Sequence, residues 1–259
     1  MTVNNRITRL LSTTRGVLSV FVTAGFPTLD ATVEICVALA SSGAQMIELG
    51  LPFSDPIADG PTIQMANQLA LQNGVTTAWT LNVLRQIRGR GVEVPVLLMG
   101  HLNPLLQYGL QEFCRDAAEA GADGVILPDL PCEFYLAHYR EMFEKRNLSV
   151  VFLVTAATPD ERVRQLDTAS QGFIYAVALA GVTGSKLAAD TGRRAYLQRL
   201  VSLQLNNPVL VGFGIENRAQ FQEINETAHG AIVGSAFIKT LAEATNVTEA
   251  TRAFVGRFL

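Results

Sequence analysis

The chain has 259 residues, of which 49% are hydrophobic and 17% are charged. This composition is too apolar for a disordered chain, and the length suits one large core, so we expect a single domain over residues 1–259. Lys and Arg total 20 against 23 Asp and Glu, a net charge of −3. That balance excludes a general basic surface for nucleic acid or anionic lipid, so any phosphate ligand must be held by local groups.

The cysteines and the apolar runs predict a cytoplasmic protein. Cys36, Cys114 and Cys132 are odd in number and widely spaced, which fits buried thiols in a reducing compartment and offers neither a disulfide framework nor a metal pair. The apolar runs are shorter than the roughly 18 residues that a membrane helix needs. We therefore expect no membrane span and a cytoplasmic location.

The N-terminal segment has the layout of a signal peptide, because three arginines precede the apolar stretch 17–24. Ser19 and Thr23 interrupt that stretch, however, and a Gly-Phe-Pro turn follows it. We therefore predict a short amphipathic helix followed by the first β-strand.

Short β-branched and aliphatic runs alternate with amphipathic stretches along the chain. The predicted strands are Leu18–Thr23, Met46–Leu49, Pro95–Met99, Gly124–Leu127, Val150–Val154, Phe173–Val177, Val209–Val211 and Ala231–Val233. The predicted helices are Ala31–Ser42, Thr77–Arg90, Gln111–Ala120, Cys132–Arg146, Pro159–Ser170, Arg193–Leu205, Arg218–Asn225, Ala236–Ala244 and Glu249–Phe258. A repeat of about 30 residues is typical of consecutive βα units.

Eight βα units in roughly 250 residues predict an α/β fold of the (β/α)8 or TIM-barrel type, as a single domain with a short N-terminal helix. A doubly wound Rossmann sheet is the alternative, but it usually has about five or six strands. It also needs a GxGxxG turn after the first strand, where this chain has Ala24-Gly-Phe-Pro-Thr-Leu-Asp30. In a barrel the chemistry lies at the C-terminal ends of the strands, which directs the search to the loops that follow them.

Glu48 is an ionisable residue within an apolar strand. Burying its charge costs free energy unless the carboxyl is paired or protonated. A buried ion pair is one interpretation, but the predicted strands contain almost no Lys or Arg. We therefore predict a catalytic carboxyl whose pKa is raised by burial, as suits an acid/base group.

Asp55 and Asp59 lie in the long loop after the second strand, among prolines and glycine. Aspartate at such positions commonly closes a turn or caps a helix, and Asp59 directly precedes Gly60-Pro61, where we expect a helix to start. We favour that structural role for Asp55. For Asp59 we favour a functional role, because its loop can fold over the barrel mouth.

Glycine-bearing turns follow the sixth, seventh and eighth strands, at 181–184, 212–215 and 234–236. Glycine lets backbone amides approach an anion closely, and a helix that begins after Gly234 and Ser235 adds the positive end of its dipole. Barrels often bind phosphate at these last loops. We therefore predict a phosphate cradle built from backbone amides.

The histidines predict no metal site, because they are far apart and lack HxH or HExxH spacing. His138 and His229 are expected to face solvent, whereas His101 follows the third strand and can touch a ligand at the mouth.

Aromatic residues lie near the same loops, at Phe21, Tyr175 and Phe213. Aromatic side chains in strands are usually core, but the phase of these three allows a planar aromatic ligand to lie between them.

With these residues identified, the chain resembles the tryptophan synthase alpha subunit family over nearly its whole length. The most specific shared motif is Glu48-Leu-Gly-Leu-Pro-Phe-Ser-Asp-Pro-Ile-Ala-Asp-Gly-Pro-Thr-Ile-Gln64. The others are Phe21-Val-Thr-Ala-Gly-Phe-Pro27, Leu98-Met-Gly-His-Leu-Asn-Pro104, Leu127-Pro-Asp-Leu-Pro131, Gly181-Val-Thr-Gly184, Gly212-Phe-Gly-Ile215 and Gly234-Ser235. The resemblance implies a lyase that cleaves indole-3-glycerol phosphate to indole and glyceraldehyde 3-phosphate in tryptophan biosynthesis, without cofactor or metal.

The resemblance also implies residue roles and a partner. Glu48 matches the catalytic glutamate and Asp59 the partner aspartate, while Tyr175 matches the tyrosine beneath the indole. The implied substrate-binding residues are Phe21, Tyr175, Thr183, Gly184, Phe213, Gly214, Gly234 and Ser235. The implied partner is a pyridoxal-phosphate β subunit, which receives the indole in an α2β2 assembly and docks near residues 52–61.

The chain departs from the family pattern at three positions. His101 stands where the family often has Tyr, and Ala178 and Ala180 stand where it often has Ser or Thr. Those hydroxyls can serve loop closure and contact with the partner.

Three other functions remain as alternatives. They are a stand-alone indole-releasing lyase, a non-catalytic activator of a β subunit, and another phosphosugar barrel such as an isomerase. Intact Glu48 and Asp59 argue against the activator, and the Pro-Phe-Ser-Asp loop argues against the isomerase.

Overall fold

A computed structural model describes residues 3–56, 59–177, 186–212, 214–215 and 217–259, with only the helical backbone for residues 186–191. Eight parallel strands close into a barrel in sequence order. They are β1 (Val17–Thr23), β2 (Met46–Gly50), β3 (Val96–Met99), β4 (Gly124–Ile126), β5 (Ser149–Thr155), β6 (Ile174–Val177), β7 (Val209–Gly212) and β8 (Gly230–Val233). The ring closes where β8 pairs with β1, with Val17 opposite Gly230. The predicted (β/α)8 barrel is therefore confirmed.

Helices separate the strands. They are α1 (Arg6–Thr13), α2 (Ala31–Ser41), α3 (Pro61–Gln72), α4 (Thr77–Gly89), α5 (Leu102–Tyr108), α6 (Leu110–Ala120), α7 (Cys132–Phe134), α8 (Arg140–Lys145), α9 (Asp160–Ala169), α10 (Lys186–Ser202), α11 (Arg218–Asn225), α12 (Ser235–Ala242) and α13 (Val247–Val255). Among the residues described, no helix is both long enough and apolar enough to cross a membrane.

One helix and one interruption were not predicted, and one helix was predicted only at its start. Helix α5 was not expected, whereas α3 begins at the expected helix start, Gly60-Pro61. These helices follow β3 and β2, so both lie beside the barrel mouth. The predicted helix Cys132–Arg146 is broken by a π-helical turn at Tyr135–Tyr139. The wider turn accommodates the buried ring of Tyr135, which packs against Phe143 and Phe152.

Among the described residues, the short N-terminal helix closes the end of the barrel opposite the mouth. Ile7 and Leu11 of α1 belong to the cluster that fills the barrel interior, together with Val17 at the start of β1. Asn5 caps α1 by accepting hydrogen bonds from the backbone N–H groups of Ile7 and Thr8. The helix followed by a first strand is the arrangement that the sequence predicted.

The strand period determines which side chains face the interior. Side chains two residues apart lie on the same face of a strand. Met46 belongs to the interior cluster, so Glu48 also points inward, nearer the C-terminal end of β2. The neighbouring residues Ile47 and Leu49 pack in the outer core with the helices. Cys36, Cys114 and Cys132 are buried free thiols, as predicted.

Candidate functional site

A cavity of about 650 Å³ opens at the C-terminal end of the barrel. This volume is in the range of small-molecule sites. The predicted site residues that line it are Phe21, Glu48, Asp59, Tyr175, Gly214, Gly234 and Ser235. The other predicted site residues, Thr183, Gly184 and Phe213, lie outside the described residues, as do Ala178 and Ala180.

Glu48 is completely buried at the inner end of this cavity. Its Oε1 accepts a hydrogen bond of 3.0 Å from the Ser19 hydroxyl, and its Oε2 has no hydrogen-bond partner among the described residues. Burial raises the pKa of Glu48 to about 8, against the opposing effect of the Ser19 hydrogen bond. Within the described part of the chain no Lys or Arg pairs with Glu48, so Glu48 holds a proton at neutral pH instead of an ion-pair partner.

Strand register explains why Ser19 reaches Glu48. In the β1–β2 ladder Phe21 lies opposite Glu48, and Ser19 is two residues before Phe21 on the same inward face. Sequence reasoning did not assign Ser19 a site role. The sequence signal for Ser19 is a polar residue inside an otherwise apolar strand, two positions before the predicted site residue Phe21.

Asp59 lies half-buried on the loop before α3. Its backbone N–H donates to the Pro56 carbonyl oxygen, and its Oδ2 accepts a long hydrogen bond of 3.5 Å from the Asn67 amide. Gly60 is the N-cap residue of α3, so Asp59 does not cap this helix, although its backbone closes a turn with Pro56. Burial raises the pKa of Asp59, whereas the charge of His101 and the hydrogen bond from Asn67 lower it.

Phe21 and Tyr175 form aromatic walls of the cavity and are nearly buried. Glycines make room for both rings. A Cβ at Gly50 would come within 2.6 Å of the Phe21 ring, and a Cβ at Gly212 would clash with the Tyr175 ring. Burial raises the pKa of Tyr175 well above its usual value, assisted by the carboxyls of Glu48 and Asp59, so the phenol stays neutral.

The opposite part of the cavity is lined by backbone at the start of α12. Helix α12 begins at Ser235, and its N-cap residue Gly234 provides no side-chain cap, so the first N–H groups of the helix are free of a cap there. Among the described residues, a Cβ on Gly234 would meet nothing closer than Phe21 at 3.5 Å. Gly214 has φ +72, and no described residue lies within 4 Å of where its Cβ would be. Backbone groups are therefore accessible to an anion at this end.

Two cations on the outer part of the cavity were missed by the sequence analysis. Lys239 on α12 and Arg257 after α13 both line it and are exposed. Lys239 lies four residues after Ser235, which places both on one face of α12. That spacing is the signal that could have indicated Lys239.

His101 is half-buried beside the site. Its ring stacks on Phe53, with 4.7 Å between centroids and 29° between the planes. Together with Asp59 and Asn67 it lines a second cavity of about 20 Å³, next to the larger one. The predicted position of His101 near the mouth therefore agrees with the structure. Asp55, in contrast, is exposed and accepts a hydrogen bond from its neighbour Ser54.

The remaining histidines lie away from the cavity. His138 is exposed, as predicted. His229 was predicted to face solvent, and this is wrong. It is half-buried because it extends the β7–β8 ladder, where its Nδ1 accepts from the Val209 N–H. No group of three or more His, Cys, Asp or Glu residues suited to a metal ion occurs in the described part of the chain.

The chain is similar to tryptophan synthase alpha chains over almost its full length. A sequence profile described as "Tryptophan synthase alpha chain" matches residues 7–256. The tryptophan synthase alpha chain of Flavobacterium psychrophilum is 47% identical over 239 residues, which cover 92% of this chain and 94% of that protein. That of Parabacteroides distasonis is 44% identical over 247 residues, covering 95% and 96%.

Solved structures agree with these sequence matches. Tryptophan synthase subunit alpha from Legionella pneumophila superposes with a TM-score of 0.88 at 38% identity, covering 98% of this chain and 97% of that one. A chain of tryptophan synthase from M. tuberculosis superposes with a TM-score of 0.86 at 32% identity, covering 98% of both chains. The fold, the long motif after β2 and these matches together show that the chain belongs to the tryptophan synthase alpha chain family.

Proposed function

We propose that this chain cleaves indole-3-glycerol phosphate to indole and glyceraldehyde 3-phosphate, with Glu48 as the acid/base and Asp59 as the stabilising carboxylate. The family's activity is that of a lyase in tryptophan biosynthesis. The observation that carries the residue assignment is Glu48 itself. It is a fully buried carboxyl with a pKa raised by burial to about 8, in a cavity that is also lined by Gly234 and Ser235 at the start of α12.

The raised pKa suits the first step of this cleavage. Protonated Glu48 gives its proton to C3 of the indole ring, which makes the ring nitrogen positive and weakens the bond from C3 to the glyceryl chain. The Glu48 carboxylate then removes the proton of the adjacent hydroxyl while the C–C bond breaks. The bonding electrons return to the indole ring, the hydroxyl carbon becomes the aldehyde, and Glu48 is again protonated.

Asp59 and the aromatic walls suit the indole. An ionised carboxylate near the ring nitrogen stabilises the positive charge that develops there. Phe21 and Tyr175 provide apolar ring surfaces for a planar ligand, and neutral Tyr175 adds no competing charge. The substrate then extends from Glu48 towards the start of α12.

The backbone at Gly214, Gly234 and Ser235 suits the phosphate. Free N–H groups and the positive end of the α12 dipole hold a dianion without a buried cation. Within the proposal, exposed Lys239 and Arg257 contribute a favourable field at the outer part of the cavity.

A β subunit is the proposed partner at the mouth of the barrel. Exposed apolar side chains support this, since Leu106 on α5 is 48% exposed and Phe134 on α7 is 44% exposed. These helices follow the neighbouring strands β3 and β4 at their C-terminal ends. Together with loop 52–56 they give a docked chain apolar surface to cover beside the site.

The direct test incubates the purified chain with indole-3-glycerol phosphate and follows indole release, with and without a tryptophan synthase β subunit. We expect slow release by the chain alone and faster release with the β subunit, because docking excludes water from a site that needs a protonated buried carboxyl. Full turnover that a β subunit leaves unchanged would favour a stand-alone lyase. A chain that accelerates a β subunit but never releases indole would be a non-catalytic activator.

The phosphate assignment has its own test in Gly234→Ala. In the protein without ligand, the added Cβ fits, because its nearest described neighbour, Phe21, is 3.5 Å away. The methyl group would, however, obstruct the approach of a phosphate to the backbone. We expect glycerol phosphate affinity, measured by calorimetry, to fall by about tenfold, equivalent to about 1.4 kcal/mol. Gly89→Ala at the end of α4, where a Cβ also meets nothing within 4 Å, is the matched control and should leave affinity unchanged. If Gly234→Ala and Gly89→Ala bind glycerol phosphate with equal affinity, the phosphate does not bind at Gly234.

A further inference from the structure

His101 carries a buried polar atom that nothing in the described residues satisfies. Its Nδ1 is inaccessible to solvent and has no hydrogen-bond partner there. A buried ring nitrogen without a partner is costly, so such atoms in folded proteins call for a ligand or a functional role. His101 precedes α5 as its N-cap residue, yet its side chain makes no cap hydrogen bond.

The surroundings of His101 place its ring beside Asp59. The ring is held by stacking on Phe53. The small cavity of about 20 Å³ that His101 lines is also lined by Asp59, Asn67 and Phe21. Among the described residues, the Asp59 carboxylate accepts one hydrogen bond, the long one of 3.5 Å from the Asn67 amide. Its carboxylate therefore has room for a second donor.

We propose that His101 is a positioning residue for Asp59, which it orients by an imidazole N–H hydrogen bond across the shared cavity and, when protonated, stabilises by its positive charge. This proposal rests on the proposed role of Asp59 in the cleavage of indole-3-glycerol phosphate. A histidine at this position can offer both an N–H donor and a positive charge.

Among the described residues, few charged groups other than Asp59 lie near His101. Asp59 faces it from the β2 loop, and α3 and β1 contribute the neutral Asn67 and Phe21 to the shared cavity. From the loop after β4, the exposed Asp129 carboxylate accepts from the N–H of Leu102, the residue after His101. Water screens that exposed charge. Glu48 lies deeper, in the larger cavity, and holds its proton at neutral pH.

The charges of His101 and Asp59 determine in which direction His101 shifts the pKa of Asp59. Burial raises the pKa of Asp59 and the charge of His101 lowers it. A hydrogen-bond donor and a nearby positive charge both favour the ionised form of a carboxyl. Removing His101 should therefore raise the pKa of Asp59.

The test compares wild type with His101→Phe and His101→Gln. Phenylalanine keeps the stacking on Phe53 but removes both donor and charge, whereas glutamine keeps an N–H donor without the charge. The titration of the Asp59 carboxyl is followed by carbon NMR of ¹³C-aspartate-labelled protein, with Asp59→Asn used to identify its resonance. The pH profile of kcat for indole release is measured in parallel. His138→Phe, at an exposed histidine, is the matched control.

We expect the pKa of Asp59 and the acidic limb of kcat both to move up by about one pH unit in His101→Phe. The shift should be smaller in His101→Gln and absent in His138→Phe, with KM and the basic limb unchanged. An unshifted Asp59 titration in a folded His101 variant would overturn the proposal. If His101→Phe does not fold, His101→Gln decides by the same readouts. Because the NMR titration needs no turnover, failure of the proposed function would appear separately, as wild type that releases no indole.

Discussion

Replacement of Glu48 by glutamine is expected to lower kcat for indole release by at least about 100-fold, the scale of a lost general acid/base. Glutamine fills the same volume and can still accept from the Ser19 hydroxyl, but it has no proton to give to the indole ring. Glycerol phosphate affinity should be unchanged, because the cradle at Gly214 and Gly234 is separate from Glu48. In wild type, kcat should fall as the pH rises through about 8, where Glu48 ionises.

The same substitution is expected to stabilise the folded chain, most at alkaline pH. Glu48 has an ordinary pKa of 4.5 and a folded-state pKa of about 8. Below pH 4.5 both states hold the proton. Between these values only the unfolded chain releases it, so the wild-type free energy of unfolding falls as the pH rises. Glutamine does not titrate, so the advantage of Glu48→Gln in urea denaturation should grow from pH 5 to pH 8.

Glu119→Gln, at an exposed glutamate on α6, is the matched control and should change neither activity nor the pH dependence of stability. Near-normal indole release by Glu48→Gln would reject Glu48 as the acid/base. If the unfolding free energies of Glu48→Gln and wild type differ by the same amount at pH 5 and at pH 8, the raised pKa of Glu48 is rejected.

Asp59→Asn is expected to lower kcat by about 100-fold with little change in KM, because its charge matters only once the indole nitrogen becomes positive. Asparagine preserves the shape of the side chain and its position beside Asn67. Steady-state kinetics of indole release with varied substrate separates the two parameters. Asp55→Asn serves as the control, since Asp55 is exposed and accepts a hydrogen bond from its neighbour Ser54, and it should retain activity within about twofold. A loss confined to KM would assign Asp59 to binding or to the loop instead.

The strands were predictable because each one is a short apolar run that carries its own signal. Met46–Leu49 and Gly124–Leu127 were placed within one residue of their observed ends. Helix α3 was predicted only at its start, because further along Asn67 lies on its buried side and the exposed Met65 breaks the apolar stripe. The π-helical turn gives no sequence signal, since its residues also suit an ordinary helix.

For the site, Glu48 was predictable because a carboxyl group conflicts with the apolar strand around it. The contacts that shift the pKa values of Glu48 and Asp59 were not predictable. The bond from Ser19 depends on strand register, and the closeness of His101 to Asp59 depends on how two loops pack at the mouth. Such contacts join residues far apart in the chain, and no local pattern encodes them.

The pairing of Val17 with Gly230 also has a kinetic meaning. During synthesis β1 emerges early and must wait for β8, so the first and last edges of the sheet stay unpaired until almost the whole chain is available. The complete burial of Glu48 requires the closed ring. We therefore expect its desolvation cost to oppose closure of the barrel and to leave the pairing of β1 with β2 unhindered.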